Sequence, residues 1–423
     1  MKVLVIGSGG REHALAWKLK QSPAVDRIFC APGNGGTEEV AENVGITATD
    51  FEALVRFAKQ NGVDLTVVGP DDPLALGIVD VFTSEKLRIF GPSKSAARLE
   101  SSKIFAKELM RSRKIPTAEA KTFTNSDEAL RYCERLQFPV VIKADGLALG
   151  KGVVIAADQA TARSTVAAMM NEDRFGDAGR RIVIEEFLRG SECSLHALVA
   201  GEDYLLLESA RDHKRVFDGD EGPNTGGMGA FSPANNWSLE LKWQFERKII
   251  QPLLHALPEQ GITYRGLLYP GVIITADGPR VLEFNCRFGD PETQALLPRM
   301  KSDLLPLLDA TIDGGIGSHA IEWDQRAAVT VVLASGGYPG KYETGHTISG
   351  LNDAAKIDNV QVFHAGTKRG KEGIVTAGGR VVAVTALGET IAEARTRAYE
   401  AVARIRFEGC HYRRDIALTA VNG

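Results

Sequence analysis

Residues 281–294 constrain this chain more than any other stretch, because their first half alternates strictly. Leu282, Phe284, Cys286 and Phe288 share one parity, and Glu283, Asn285 and Arg287 share the other. Successive side chains of a β-strand point to opposite faces, so a strand here turns one apolar face to a core. Its other face carries a carboxylate, an amide oxygen and a guanidinium in a row, about 7 Å apart. Gly289 can end the strand, and Asp290, Pro291 and Glu292 follow as a polar turn. Glu283 and Asn285 offer all-oxygen ligation, which suits Mg²⁺, a hard ion usually held by one or two protein oxygens plus substrate phosphates. Arg287, next along the face, can neutralise a phosphate or a carboxylate bidentately. The same pattern also describes a half-exposed antiparallel strand whose polar face simply meets water, so the rest of the chain has to choose.

A chain of 423 residues is too long for one ordinary core, and two to four domains are expected. The net charge of −4 gives no reason to expect a nucleic-acid or membrane-surface partner. No apolar run approaches the roughly 18 residues that span a bilayer, and the N-terminus enters a strand at once, without a signal-like apolar region. Cys30, Cys133, Cys193, Cys286 and Cys410 are widely spaced and odd in number, which argues against a disulfide framework or a zinc site and fits a reducing cytoplasm.

Residues 1–100 alternate short apolar strands (3–6, 28–31, 65–69, 89–92) with helix-period segments (11–20, 51–60), which predicts a doubly wound parallel sheet. Ligands of such sheets sit outside the carboxyl ends of the strands. The loops 7–11, 32–37 and 69–73, with Gly9, Gly10 and Asn34, share that position. Gly7-Ser-Gly-Gly10 is not a dinucleotide fingerprint, since Glu12 replaces its third glycine and no ribose-binding acid follows. A phosphate at the helix N-terminus is expected instead, with a merely structural tight turn as the alternative.

Residues 101–325 are expected to form a second unit of two α+β lobes, about 116–188 and 189–325. In the smaller lobe a strand ends at Lys143, a glycine-rich loop carries Gly150, Lys151 and Gly152, and a strand returns at 153–156. This hairpin is not a Walker A loop, yet it can fold over a triphosphate; an ordinary surface hairpin is the alternative. Residues 93–113 are read as a basic helix, mostly a solvated face, in which Lys103 follows Ser101-Ser102. An apolar strand ending in Glu185 and Glu186, with Phe187 and Leu188, reads as a hinge whose backbone could meet an adenine edge, and Glu192 could reach ribose hydroxyls. Residues 219–229, with Asn224, Thr225, Gly226 and Gly227, are too rich in glycine and polar groups to pack a core, and are read as a linker or a ligand-enclosing loop. Two strands, 264–274 and 280–288, would pair around a turn. Residues 326–423 are read as a separate α+β domain, with β segments that include 336–340; its only unusual loop is Ser335-Gly-Gly-Tyr-Pro-Gly340.

Taken in order, the Lys143–Lys151 glycine hairpin, the Glu185–Leu188 hinge with Glu192, and Glu283 with Asn285 resemble the ATP-grasp superfamily. Within it, Gly7-Ser-Gly-Gly-Arg-Glu-His-Ala14, the run 222–229 and the run 287–294 resemble the phosphoribosylamine–glycine ligase (glycinamide ribonucleotide synthetase) family, over about residues 1–415. Asp71-Asp-Pro-Leu74 departs mildly from the Glu-x-Pro-Leu of that family. The resemblance implies ligation of glycine to 5-phosphoribosylamine through a glycyl phosphate, with ADP and phosphate as products. It implies ATP as co-substrate, Mg²⁺ or Mn²⁺ on Glu283 and Asn285, and phosphate contacts from Lys103, Lys143 and Lys151. It implies adenine contacts from residues 185–188, and acceptor-side roles for Arg287, Asp290, Asp212, residues 224–227, Gly9, Gly10 and Asn34. His13 and His213 are read as structural. A cytoplasmic monomer, with a dimer as the alternative, is expected. Another ATP-grasp carboxylate–amine ligase and an NAD-dependent oxidoreductase remain the competing readings.

Overall fold

The computed structural model describes residues 1–147, 152–172 and 176–421. Its N-terminal sheet is parallel and runs in the order Glu42–Asn43, Arg27–Pro32, Lys2–Gly7, Leu65–Val68, Ile89–Phe90. The fifth strand, Glu42–Asn43, is too short and polar to show in the sequence pattern. Alternate residues of the central strand feed different cores. Val3 and Val5 pack with the helix Gly10–Leu19 and with leucines of the helix Leu304–Asp313. Leu4 and Ile6 pack with the helix Phe51–Asn61. Burying a side chain of this size is worth about 1.5–3 kcal/mol, so the N-terminal sheet is welded by one face to the middle of the chain.

The smaller lobe is a four-stranded antiparallel sheet in the order Ala120–Phe123, Ile182–Glu186, Val140–Ala144, Val153–Ala156. The helices Ser126–Cys133 and Gln159–Met170 cover it. Asn125 caps the first of these, accepting from the Glu128 N–H.

The larger lobe is built on Arg265–Thr275, which pairs with Gly278–Asn285 on one edge and with Ser191–Ser194 and Ala197–Ala200 on the other. The register jumps from Gly271–Glu283 to Val272–Val281, so Leu282 is the extra residue of a bulge. The strand also stops at Asn285 rather than at Phe288. The expected unbroken alternation is corrected at both ends: the bulge re-aims Glu283, and Arg287 lies on the loop beyond the strand.

The C-terminal sheet runs Arg211–Asp212, Gly229–Ser232, Ala327–Ala334, Arg380–Gly388, Val360–His364, taking its first two strands from the middle of the chain. The segment 219–229 therefore is not a linker. It begins in the hairpin of Arg215–Phe217 with Glu221–Asn224 and ends by burying Met228 completely. Residues 336–340 are a turn and not a β segment, with Gly337 at φ +92°.

Candidate active site between the lobes and the flanking units

The helix Lys103–Ser112 is tied to the base of the glycine hairpin. Ser102 caps it, and Asp145 accepts from Ser102 Oγ (3.2 Å) and from the Ile104 N–H (3.1 Å). Lys103 Nζ donates to the Gly146 carbonyl at 2.8 Å. Gly152, where the hairpin returns, is buried and accepts from the Ala144 N–H at 2.8 Å. Gly150 and Lys151 lie outside the described residues.

Lys143 Nζ donates to the Leu282 carbonyl of the bulge at 2.9 Å and pairs with Glu185 at 2.9 Å. Lys107 reaches the other Glu185 oxygen at 3.2 Å. The Glu185 side chain thus faces inward between two lysines, whereas Glu186 is exposed and accepts from the Glu119 N–H (3.0 Å) and from Arg280 (3.2 Å). Both belong to the strand Ile182–Glu186; only Phe187 and Leu188, half-buried, lie on the segment beyond it.

Glu192 pairs with Lys214 at 2.8 Å. Lys214 faces three carboxylates: burial would lower its ammonium, but Glu192, Asp212 and Glu283 raise it well above the ordinary value. Burial would push the Glu283 carboxyl up, yet Lys214, Lys143, Lys103 and Arg287 outweigh it and hold it below the usual carboxylate range. Asp212 goes the other way. Burial pushes it up to about 7, against Lys214 and with help from Glu292 and Glu192. A low-lying carboxylate and a high-lying one that share Lys214 as a neighbour form a divided site, one end anionic and the other able to carry a proton near neutral pH.

Among the described residues, no group of three or more His, Cys, Asp or Glu side chains is arranged as a metal cage. Glu283 and Asn285 form a pair of hard oxygens, with Glu283 held ionised and Asn285 Oδ1 accepting only a long bond of 3.3 Å from Arg287. That donor set fits Mg²⁺ or Mn²⁺ completed by substrate phosphates.

Arg287 pairs with Glu100 at 3.0 Å. Asp290 joins three parts of the chain. It accepts from the Arg11 N–H at the start of the first helix (3.3 Å) and from Gln294 Nε2 (2.8 Å), and it pairs with Arg380 at 3.2 Å. Burial would raise its carboxyl, but Arg380 and Arg11 hold it down. Residues 224–227 lie against this junction: Asn224 ends a hairpin strand, Thr225 is buried, and a Cβ on Gly226 would be 3.0 Å from the Arg380 guanidinium carbon.

Two N-terminal groups are engaged by the protein itself. The Glu12 carboxylate accepts the Gly9 N–H at 2.5 Å and Arg11 Nε at 2.5 Å. With Asp290 on the Arg11 N–H, two donors of the helix N-terminus are already occupied by protein carboxylates. That favours the tight-turn alternative for this loop, with the Gly9 and Arg11 N–H groups turned to the protein itself. Gly9 and Gly10 let these groups close in; a Cβ on Gly10 would be 2.6 Å from Gln294 Nε2. Asn34 spends its amide on the protein, donating to the Ser8 and His364 carbonyls and accepting from the Gly36 and Thr37 N–H groups. His13 and His213 are buried, and burial lowers them to about 3 and about 4.

Sequence reasoning missed Lys214, Lys107, Glu100 and Arg380. Lys107 follows Lys103 by one helical turn, and Lys214 follows Asp212 by one strand period; both signals are in the chain. Glu100 and Arg380 carry none, because only the fold brings them to residues 285–290.

Models of the phosphoribosylglycinamide synthetase N domain, ATP-grasp (A) domain and C domain match residues 1–100, 101–293 and 328–419. The chain is 51% identical over 422 residues to the phosphoribosylamine–glycine ligase of Halalkalibacterium halodurans, covering 100% of this chain and 97% of that one. It is 51% identical over 425 residues to the enzyme of that name from Escherichia coli K12, covering 100% and 99%. The crystal structure of phosphoribosylamine–glycine ligase from Thermotoga maritima superposes with a TM-score of 0.86 at 33% identity, covering 99% of this chain and 100% of that one. A biotin carboxylase from Campylobacter jejuni shares the fold, with a TM-score of 0.75 at 12% identity over 100% of this chain and 95% of that one.

Proposed function

Because this chain belongs to the phosphoribosylglycinamide synthetase family, we propose that the divided site around Glu283 and Asp212 is where it joins glycine to phosphoribosylamine. The protein is an ATP-dependent carbon–nitrogen ligase of purine biosynthesis, acting on small molecules. The observation that supports the assignment of the site is the charge around Glu283: Lys214, Lys143, Lys103 and Arg287 together hold its carboxyl low, and Lys143 is fixed on the adjacent Leu282 carbonyl at 2.9 Å.

A carboxylate is a poor electrophile, so glycine is first phosphorylated by the γ-phosphoryl group of ATP, releasing ADP. The amine of phosphoribosylamine then attacks the carbonyl of glycyl phosphate, the C–O bond to phosphate breaks, and the amide forms. Lys143, Lys103 and Lys151 hold the triphosphate, with residues 185–188 along adenine and Glu192 toward ribose. Glu283 and Asn285 would hold a Mg²⁺ or Mn²⁺ ion, which when bound neutralises charge on the phosphates. Arg287 and Asp290 orient the acceptor side, with residues 224–227 and the Gly9–Gly10 turn bounding it. Asp212, the high-lying carboxylate, takes the proton that the attacking amine loses. Most of the work is positioning and charge neutralisation.

Three functional units are read at 1–100, 101–325 and 326–423. No helix among the described residues is long and apolar enough to cross a membrane. The five unpaired cysteines support a cytoplasmic enzyme, taken as a monomer or a dimer. The test is phosphate release from ATP, glycine and phosphoribosylamine. Release that needs all three supports the reading. Release with another amine but not with phosphoribosylamine overturns it.

A further inference from the structure

The turn 335–340 and the start of the strand Arg380–Gly388 have no part in the chemistry above, yet both reach its edge. Ser335 anchors the turn over residues 378–379, its N–H on the Gly379 carbonyl (2.8 Å) and its Oγ on the Gly378 carbonyl (2.9 Å). A Cβ on Gly379 would run into the Tyr338 ring, so the ring lies directly on that backbone. From there the Tyr338 hydroxyl accepts the Gly226 N–H at 3.0 Å. Arg380 Nη1 donates to the Gly226 carbonyl (2.7 Å) and to the Asp290 carbonyl (2.8 Å), and the same nitrogen lies 3.2 Å from the Asp290 carboxylate.

The N–H and the carbonyl of Gly226 are thus both held by side chains of the C-terminal unit. The loop passes the constraint on: Gly227 N–H donates to Thr225 Oγ1 (2.9 Å), Thr225 Oγ1 donates to the Lys214 carbonyl (2.8 Å), and Met228 N–H donates to the His213 carbonyl (2.8 Å). Residues 212–214 carry the proton-transfer carboxylate and the lysine among three carboxylates. One always-charged Arg380 nitrogen, Nη1, holds both carbonyls at once.

We propose that Tyr338 and Arg380 are positioning residues for the amine acceptor, through which the C-terminal unit sets the place of residues 224–227 against Asp290. The inference rests on the reading that this loop bounds the acceptor side. A displacement of about 1 Å at such a loop is enough to cost as much as 10²-fold in rate, while the ATP side, anchored separately by Lys103, Lys143 and Glu185, meets this loop only through the Lys214–Glu192 pair.

The test is steady-state kinetics of the full-length enzyme carrying Arg380→Met, Arg380→Lys, Tyr338→Phe or Asn224→Ala, with the KM of ATP and of phosphoribosylamine measured separately. Arg380→Met is expected to raise the phosphoribosylamine KM by about tenfold or more, with the ATP KM within about twofold. Arg380→Lys should recover part of the loss and Tyr338→Phe should show a smaller rise. A general loss of stability moves neither KM selectively. Equal rises in both KM values, or a lowered melting temperature with both unchanged, overturns the proposal. If Asn224→Ala raises the phosphoribosylamine KM but neither Arg380 variant nor Tyr338→Phe does, the positioning role falls and the acceptor-loop reading stands. If none of the four moves it, both fall. Should Arg380→Met not fold, Arg380→Lys and Tyr338→Phe decide.

Discussion

Lys143 and Glu185 form a 2.9 Å ion pair in which both side chains are buried, 7% and 2% exposed. The second Glu185 oxygen faces Lys107, whose ammonium burial lowers to about 8 even though Glu185 opposes the shift. One anion therefore holds two buried cations, and the three positions are not equivalent. Breaking a buried pair costs roughly 3–5 kcal/mol because an uncompensated charge stays behind. Glu185→Gln strands two cations and is expected to destabilise by at least about 3 kcal/mol. Lys143→Met leaves Glu185 still paired with Lys107 and should cost less stability, while weakening ATP binding more. Urea unfolding together with ATP titration checks the order; equal losses of stability would mean that the two lysines do not share the carboxylate.

Glu283→Gln keeps the shape of the strand and removes the charge that four cations face. Turnover is expected to fall by roughly 10²-fold or more, with a much smaller change in melting temperature. The variant should also lose its dependence on divalent-ion concentration. A large drop in melting temperature with near-normal phosphate release would assign Glu283 to structure.

The fold was legible wherever one period ran unbroken. The continuous apolar run at 3–6 and the largely apolar segment at 264–274 needed no tertiary information, and the strands Lys2–Gly7 and Arg265–Thr275 stand there. What was hidden depends on long-range contact. Residues 219–229 read as a linker or loop because glycines and acids mask a largely exposed hairpin, and the strand Gly229–Ser232 that follows is held by the distant Ala327–Ala334. The Leu282 bulge is invisible in a pattern that alternates perfectly. Glu12 was seen to break the dinucleotide fingerprint, but that its own carboxylate occupies the helix N-terminus follows only from the coordinates. At the site, side chains on one strand or one loop were found together. Partners supplied across domains, such as Glu100 for Arg287 and Arg380 for Asp290, were not.

Gly227 has φ +110° and no room for a side chain, since a Cβ would overlap Pro291 Cδ. Gly227→Ala combines left-handed strain with a clash against a ring that cannot rotate away. It should cost about 1–3 kcal/mol and raise the acceptor KM. Gly219, also at positive φ (+70°) but with nothing within 4 Å of a Cβ, is the control: Gly219→Ala should cost about 1 kcal/mol or less. Thermal unfolding of the pair separates clash from backbone strain, and equal losses would leave strain alone as the cause.

Asp212 links stability and rate through one titration. Its carboxyl sits at about 7 in the folded chain against an ordinary 3.8, because burial disfavours the charge and Glu292 and Glu192 add to it, while Lys214 opposes. Between about pH 4 and 7 the folded state holds a proton that the unfolded state has released. Stability contributed by the protonated form is full at low pH and is lost as pH rises through that window. The base form proposed to accept a proton from the amine appears over the same rise. Folding stability should therefore fall while kcat/KM climbs on an acidic limb near pH 7; the apparent value belongs to the cluster with Lys214 rather than to Asp212 alone. Asp212→Asn should flatten both trends and lower turnover at pH 8. Parallel pH series of urea unfolding and of phosphate release check this. An acidic limb that persists in Asp212→Asn would assign the titration to another group.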